Sequence, residues 1–298
     1  MKNQSNKIVL IFLIILTFSP SSIGETTQTP NIEKINNTNQ ITFHITPEKN
    51  IIKKGKFINI LFNITNNSTQ TVKLYSLINF HVEDLSRNIT LPVGKTDNYL
   101  ITNLKQGQSK LNVINPFNFM NYKEEFNLPI MSYPWAYIKE GKYLIYFSIK
   151  TEEGIVKSNE IEIEVLPLNE EEEIVFQQLV NNVEVEKSIA DWNNLFSIYK
   201  DSFYAEESYY LYGGVSAENL FKENHPERAQ IIERLKERLI KFPYCSESSR
   251  LMGYLDRDFD DCRRAMEEVI EVLKIESPES WLLKIIEHNK QLKEELKK

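Results

Sequence analysis

The chain is poor in glycine, cysteine, histidine and long apolar runs, and each shortage removes a class of function. Nine glycines occur in 298 residues. None of them builds a Gly-rich phosphate loop or a G-x-S-x-G turn, so phosphate cradles and strained serine elbows have no basis here. The four histidines, His44, His81, His225 and His288, have no second ligand at H-x-x-x-H spacing, so no zinc site is expected. Lysine and arginine total 35 against 42 aspartates and glutamates, a net charge of −7. A duplex-binding protein needs a cationic surface, so nucleic acid is not an expected partner. The longest apolar run, Ile8–Phe18, has 11 residues, short of the roughly 20 that span a bilayer. No cofactor is implied.

That run has its own meaning. Lys2 and Lys7 precede it, and Ser22 and Gly24 follow at small-x-small spacing. A basic head, a short apolar stretch and a small-residue exit predict a secretory signal peptide over 1–24 and an extracytoplasmic mature chain, with no transmembrane segment after cleavage. In an oxidising compartment the even cysteine count suggests a bridge between Cys245 and Cys262. Residues 25–38 are polar and aperiodic, a flexible linker.

From Ile41 the pattern alternates. "ITFHIT", "INILFNI", "INFHVED", "YLIYFSIK" and "EIEIEV" each place apolar residues at every second position, which marks strands with one face buried and one wet. Turn signals such as "TNNSTQ", "KQGQS" and "TEEG" separate them. Seven or eight short strands within 39–167 predict an antiparallel β-sandwich. Gly141 followed by Tyr143 at a strand start resembles the tyrosine corner of immunoglobulin-like (Ig-like) domains, which implies a phenol bonded back to an upstream loop.

After Leu166-Pro167 the period becomes helical, so 168–298 is expected to be a second, α-helical body with its own core. "EEEEIVFQQLV" carries its carboxylates in the first turn, where they complement the helix dipole. "HPERAQIIERLKERLIKF" aligns Ile231, Ile232, Leu235, Leu239 and Phe242 on one stripe. "DDCRRAMEEVIEVL" and "SPESWLLKIIEHNKQLKEELKK" follow. Comparing "LFSIYKDSFYAEESYYLYG" with "LIKFPYCSESSRLMGYL" aligns Tyr199 with Phe242, each ending a helix before a short polar turn. This resembles the turn between tetratricopeptide-like repeats and implies an array of helical hairpins, although Lys200 stands where the second copy has Pro243.

The stretch Ile198–Gly214 holds five of the 14 tyrosines, together with Phe203 and the Glu206–Glu207 pair. On a helix starting near Asp201, Ala205, Ser208, Tyr209 and Tyr212 share one face, while Phe203, Glu206, Glu207 and Tyr210 lie on another. Helix packing accounts for most of these rings. Phe203, Tyr204, Glu206, Glu207 and Tyr210 are the candidate binding set, because tyrosine offers large contact area at low entropic cost.

Other motifs carry less. Asp256, Asp258, Asp260 and Glu267 match four ligand positions of a calcium loop, but Asp261 and Arg263 stand where a glycine and an apolar residue are needed. Aspartates capping the helix that starts near Asp261 explain the run. Sequons at Asn36, Asn63, Asn66, Asn67 and Asn88 are given no role in so asparagine-rich a chain. Segment "FINILFNITNNSTQTVKLYSLINFHVED" looks like the N-s-t-x-x-V-x-L hairpin of bacterial intracellular proteinase inhibitor-like sandwiches, with Asn66 to Val72 and Leu74 as the matched residues.

The function expected from these features is a non-enzymatic binding or scaffold protein with a protein or glycan partner. The alternatives are inhibition of an extracellular peptidase through sandwich loops and an enzyme acting on glycans through an unrecognised site.

Overall fold

The computed structural model describes residues 40–91, 102–119, 138–183, 197–199, 201–207, 228–256 and 259–295, all within one compact unit, Lys34–Lys298. The expected signal peptide and linker, and Tyr210 of the candidate set, lie outside the described residues.

The described strands are β1 (Ile41–Pro47), β2 (Ile51–Lys53), β3 (Ile60–Asn66), β4 (Val72–Asp84), β5 (Ile89–Thr90), β6 (Thr102–Leu104), β7 (Ser109–Ile114), β8 (Gly141–Thr151), β9 (Gly154–Lys157) and β10 (Ile161–Leu166). They form a three-stranded sheet, β1-β3-β7, and a seven-stranded sheet, β2-β10-β8-β4-β5, with β6 added on β4 and β9 on β8. Alternation fixes which side chains turn inward. Ile41, Phe43 and Ile45 of β1 and Ile60, Phe62 and Ile64 of β3 meet Ile78, Phe80, Val82, Tyr143, Ile145, Phe147, Ile163 and Val165 in one buried cluster. Rings bridge the two sheets, with Phe43 and Phe147 centroids 6.3 Å apart. This is a β-sandwich. One strand pair departs from the antiparallel expectation, because β2 runs parallel to β10.

Two devices finish the sandwich. The Tyr143 hydroxyl donates to the Lys139 carbonyl at 2.7 Å, the contact that the tyrosine corner implies. Gly141, at φ 143°, brings the backbone so close that an added Cβ would lie 2.6 Å from Ser86 Oγ. At the free edge of β1 the Asn159 side-chain amide accepts from Ile45 N–H at 2.8 Å and donates to Ile45 C=O at 3.0 Å. An edge amide satisfied this way offers no pairing template at that residue.

The helices follow: α1 (Glu170–Val183), α2 (Arg228–Lys241), α3 (Ser246–Leu255), α4 (Asp260–Glu276) and α5 (Trp281–Glu295). A reciprocal box starts α1, in which Asn169 N–H donates to Glu172 and Glu172 N–H to the Asn169 side chain. Helix α4 begins at Asp260 behind Phe259, which makes no side-chain cap bond. The aspartates therefore sit inside its first turn, where negative charge suits the dipole. Asp261 is held there by Arg228, through Nε at 2.7 Å and Nη2 at 2.9 Å.

Burial does not stop where the period changes. The sandwich cluster continues into Phe176 and Leu179 of α1, Tyr199, Tyr204 and Cys245, with Phe242 packed against it. Tyr199 and Phe242, the two aromatics aligned in the sequence, thus both reach the sandwich. A second cluster joins α2, α3, α4 and the start of α5 through Ile231, Leu235, Leu239, Leu251, Leu255, Val269, Leu273 and Leu282. A third places Trp281 and Ile285 of α5 against Val113, with Leu61, Leu111 and Tyr244 around them. Leu61 pairs with Val113, and Asn63 with Leu111, so these apolar side chains stand on the outer face of the three-stranded sheet. The helices thus have a buried cluster of their own, while α1, Tyr199, Tyr204 and Cys245, also beyond Pro167, pack into the core of the sandwich. The small sheet has apolar residues on both faces, and the helices cover the outer one.

The expected disulfide is corrected as well. Cys245 and Cys262 are free, buried thiols belonging to different clusters, the first with the sandwich and the second with the helices. Cys262 is the apolar-face residue of α4 that its spacing with Met266 and Val269 suggests, a small core side chain.

Candidate functional site

The aromatic-acidic stretch meets the sandwich at the turn between β2 and β3. Lys53, Lys54, Gly55 and Lys56 close that turn with a hydrogen bond from Lys56 N–H to Lys53 C=O at 3.1 Å. Gly55 has φ 76°, and a positive φ at the third position is what a type II turn requires. The turn is also tight from outside. A Cβ on Gly55 would stand 2.4 Å from the Phe176 ring and 3.2 Å from the Tyr204 ring.

Basic and acidic clusters far apart in the chain are matched here. Lys53 pairs with Glu172 of α1, and Lys54 lies 3.5 Å from Glu140 and 3.6 Å from Glu173. Lys56 reaches Glu207 at 2.7 Å and donates to the Phe203 carbonyl at 3.0 Å. Its ammonium sits 5.1 Å from the Phe203 ring centre and 5.7 Å from that of Tyr204. The Tyr204 hydroxyl donates to the Lys54 carbonyl at 2.9 Å. The second Glu207 oxygen accepts from Phe57 N–H at 3.0 Å. Glu206 accepts from the Asn59 side-chain amide at 3.1 Å, and the same nitrogen donates to Glu48 at 2.8 Å.

The result is a clasp. Tyr204 and Glu207 are fully buried, Glu206 is buried, and Phe203 alone of the described candidates stays open, at 42% exposure. The structure thus brings Phe203, Tyr204, Glu206 and Glu207 together, with their polar atoms turned toward the sandwich. The intramolecular partners Glu48, Lys56 and Asn59 were missed by sequence reasoning. The signal that could have found them was the basic cluster Lys53–Lys56 standing in the same chain as unmatched acidic runs.

Burial and the adjacent Glu207 carboxylate push Glu206 up to about 7, against the pull of Lys56. For Lys56, burial opposes the charge, but Glu207 and Glu206 outweigh it and hold the ammonium above its ordinary value. Burial, then Glu207, drives the Tyr204 phenol far above the usual tyrosine range. The contact with Lys53 holds Glu172 below the ordinary carboxylate value.

A second polar group lies on the outer face of the large sheet. His81 stacks on Tyr146 at 4.4 Å, with its Nε2 3.0 Å from Ser148 Oγ and Lys157 Nζ 3.6 Å from the Tyr146 ring centre. Burial, then Lys157, lowers the His81 pKa. Among the described residues no group of three or more His, Cys, Asp or Glu is placed to hold a metal ion, and no helix is long and apolar enough to cross a membrane.

No family model and no curated protein matches the chain. Among solved structures, the CARDB domain of a Pyrococcus furiosus protein in complex with di-metal ions is similar at 13% identity and a TM-score of 0.27, over 43% of this chain and 94% of that one. A Listeria innocua β-glucosidase in complex with glucose is similar at 18% identity and a TM-score of 0.26, over 42% of this chain and 16% of that one. The DNA-bound alkylpurine DNA glycosylase AlkC of Pseudomonas fluorescens is similar at 10% identity and a TM-score of 0.27, over 42% of this chain and 30% of that one. None of the activities in those names is transferred to this chain.

Proposed function

We propose that the mature chain is an extracytoplasmic, non-enzymatic binding or scaffold protein that acts through protein or glycan contacts. The observation that supports this reading is the seating of the helices on the sandwich. Strand, turn and helix residues are locked by the Lys56–Glu207 clasp and by Trp281 on the small sheet, so both parts offer their surfaces as one body. The Phe203 ring, open to solvent and flanked by the Lys53 and Lys56 ammoniums, is the ring best placed to touch a partner. On this reading the sandwich is Ig-like and the helices are a variant of the tetratricopeptide-like hairpin array.

The test is binding of the purified mature chain to a glycan array and to fractionated envelope proteins, with the Phe203→Ala, Tyr210→Ala chain beside it. Loss of retained partners in the double variant is expected. Equal recovery removes the aromatic surface from the proposal.

A second reading draws on one loop. The Asn66 amide donates to Gln70 C=O at 2.7 Å and Leu104 C=O at 2.8 Å, while its oxygen accepts from Ser68 N–H at 2.9 Å. A turn held this firmly suits a peptidase inhibitor, since rigidity cuts the entropic cost of binding. A peptidase panel unaffected by micromolar protein dismisses that reading.

A further inference from the structure

The clasp holds more negative than positive charge. Glu206 and Glu207 are adjacent on the 201–207 segment, and Glu48 comes in from the loop after β1. The β2–β3 turn supplies the Lys56 ammonium, which is committed to Glu207 and the Phe203 carbonyl. Lys49 reaches the outer oxygen of Glu48 at 3.3 Å, but it is a mostly exposed side chain. Glu206 has the Asn59 amide, shared with Glu48, and Tyr204 contributes a phenol already bonded to Lys54 C=O. Three carboxylates thus face one buried ammonium, and a second ion pair stands at the rim. Glu206, sharing the Asn59 amide with Glu48 and adjacent to Glu207, does not ionise beside them without cost.

We propose that this cluster is a proton-operated latch: while Glu206 keeps its proton the 201–207 segment stays seated on the β2–β3 turn, and losing that proton unseats it. The seat itself is aromatic and would open as a unit, since Tyr204 packs on Phe176 with centroids 5.7 Å apart and both rings press on Gly55. The direction follows from linkage. Burial and Glu207 push Glu206 up to about 7 when seated, from an ordinary carboxylate value of 4.5. Its contribution to seating is therefore complete below pH 4.5 and is lost as pH rises through 7. Release from 7 to 4.5 makes opening roughly 70-fold more favourable at pH 8 than at pH 5. The latch does not depend on which partner the protein binds.

The reporter is the Phe57 amide, which donates to Glu207 at 3.0 Å in the closed clasp. Hydrogen exchange of the mature chain, corrected for the chemical pH dependence of exchange, is read at Phe57 from pH 5 to pH 8. Protection is expected to fall by roughly 70-fold in the wild type and to stay level in Glu206→Gln, whose neutral amide mimics the protonated acid. Level protection in the wild type overturns the latch, as does an equal fall in Glu206→Gln. Should Glu206→Gln not fold, Glu48→Gln decides: removing one like charge must shrink the fall, and an unchanged fall overturns the latch.

Discussion

Replacing Lys56 with alanine probes the clasp most severely. The substitution removes the 2.7 Å contact to Glu207, the bond to the Phe203 carbonyl and the ammonium near two rings. It leaves the fully buried Glu207 with Phe57 N–H as its remaining partner among the described residues. Stranding a buried charge costs about 3–5 kcal/mol, and losing a cation–π contact adds roughly 0.5–1 kcal/mol. In a chain of this size that lowers Tm by on the order of 10 °C. The exposed Lys142–Glu162 pair, with both side chains 53% exposed, is the control, and Lys142→Ala should cost about 0–1 kcal/mol. Urea unfolding at pH 7 measures both. In the cycle with Glu207→Gln the two substitutions should fall short of additivity by about 0.5–3 kcal/mol. If Lys56→Ala costs no more than Lys142→Ala, the clasp does not hold the fold and the reasoning is refuted.

Two further predictions concern backbone and thiols. Gly55 and Gly107 have similar positive φ, 76° and 73°, but a Cβ meets the Phe176 ring at Gly55 and nothing within 4 Å at Gly107. Gly107→Ala should cost about 1–2 kcal/mol, the left-handed penalty alone, while Gly55→Ala adds roughly 1–3 kcal/mol of overpacking; equal losses would mean the turn is not pressed against α1. Cys245 and Cys262 should both react with a thiol reagent in denaturant and resist it in the native chain, whereas a bridged pair would give no reaction in either state.

The strand pattern was legible because half-buried strands write their burial into every second residue. Ile41, Phe43 and Ile45 are buried while Thr42, His44 and Thr46 are exposed. The corner at Tyr143 was legible because one glycine and one tyrosine at fixed spacing carry it. The fate of Glu206 and Glu207 was not. Helical spacing put them on a face apart from the small packing residues, and a carboxylate is by default a solvated group. Their burial depends on Lys56 and Asn59, about 150 residues away in the chain, and no local period records such a match. Leu61, Leu111 and Val113 were equally silent, since an outward apolar residue on a strand does not name the helix that covers it. The cysteines misled for another reason, because compartment and parity say nothing about which clusters two thiols join.

The account depends on sandwich and helices being one cooperative body. Hydrogen-exchange pulse labelling of the mature chain along a urea titration, read in peptides from β8 and from α1, tests this directly. One shared midpoint for both peptides is the predicted result, because Phe147 and Phe176 belong to the same buried cluster. A β8 peptide that stays protected well after α1 has fully exchanged would contradict it.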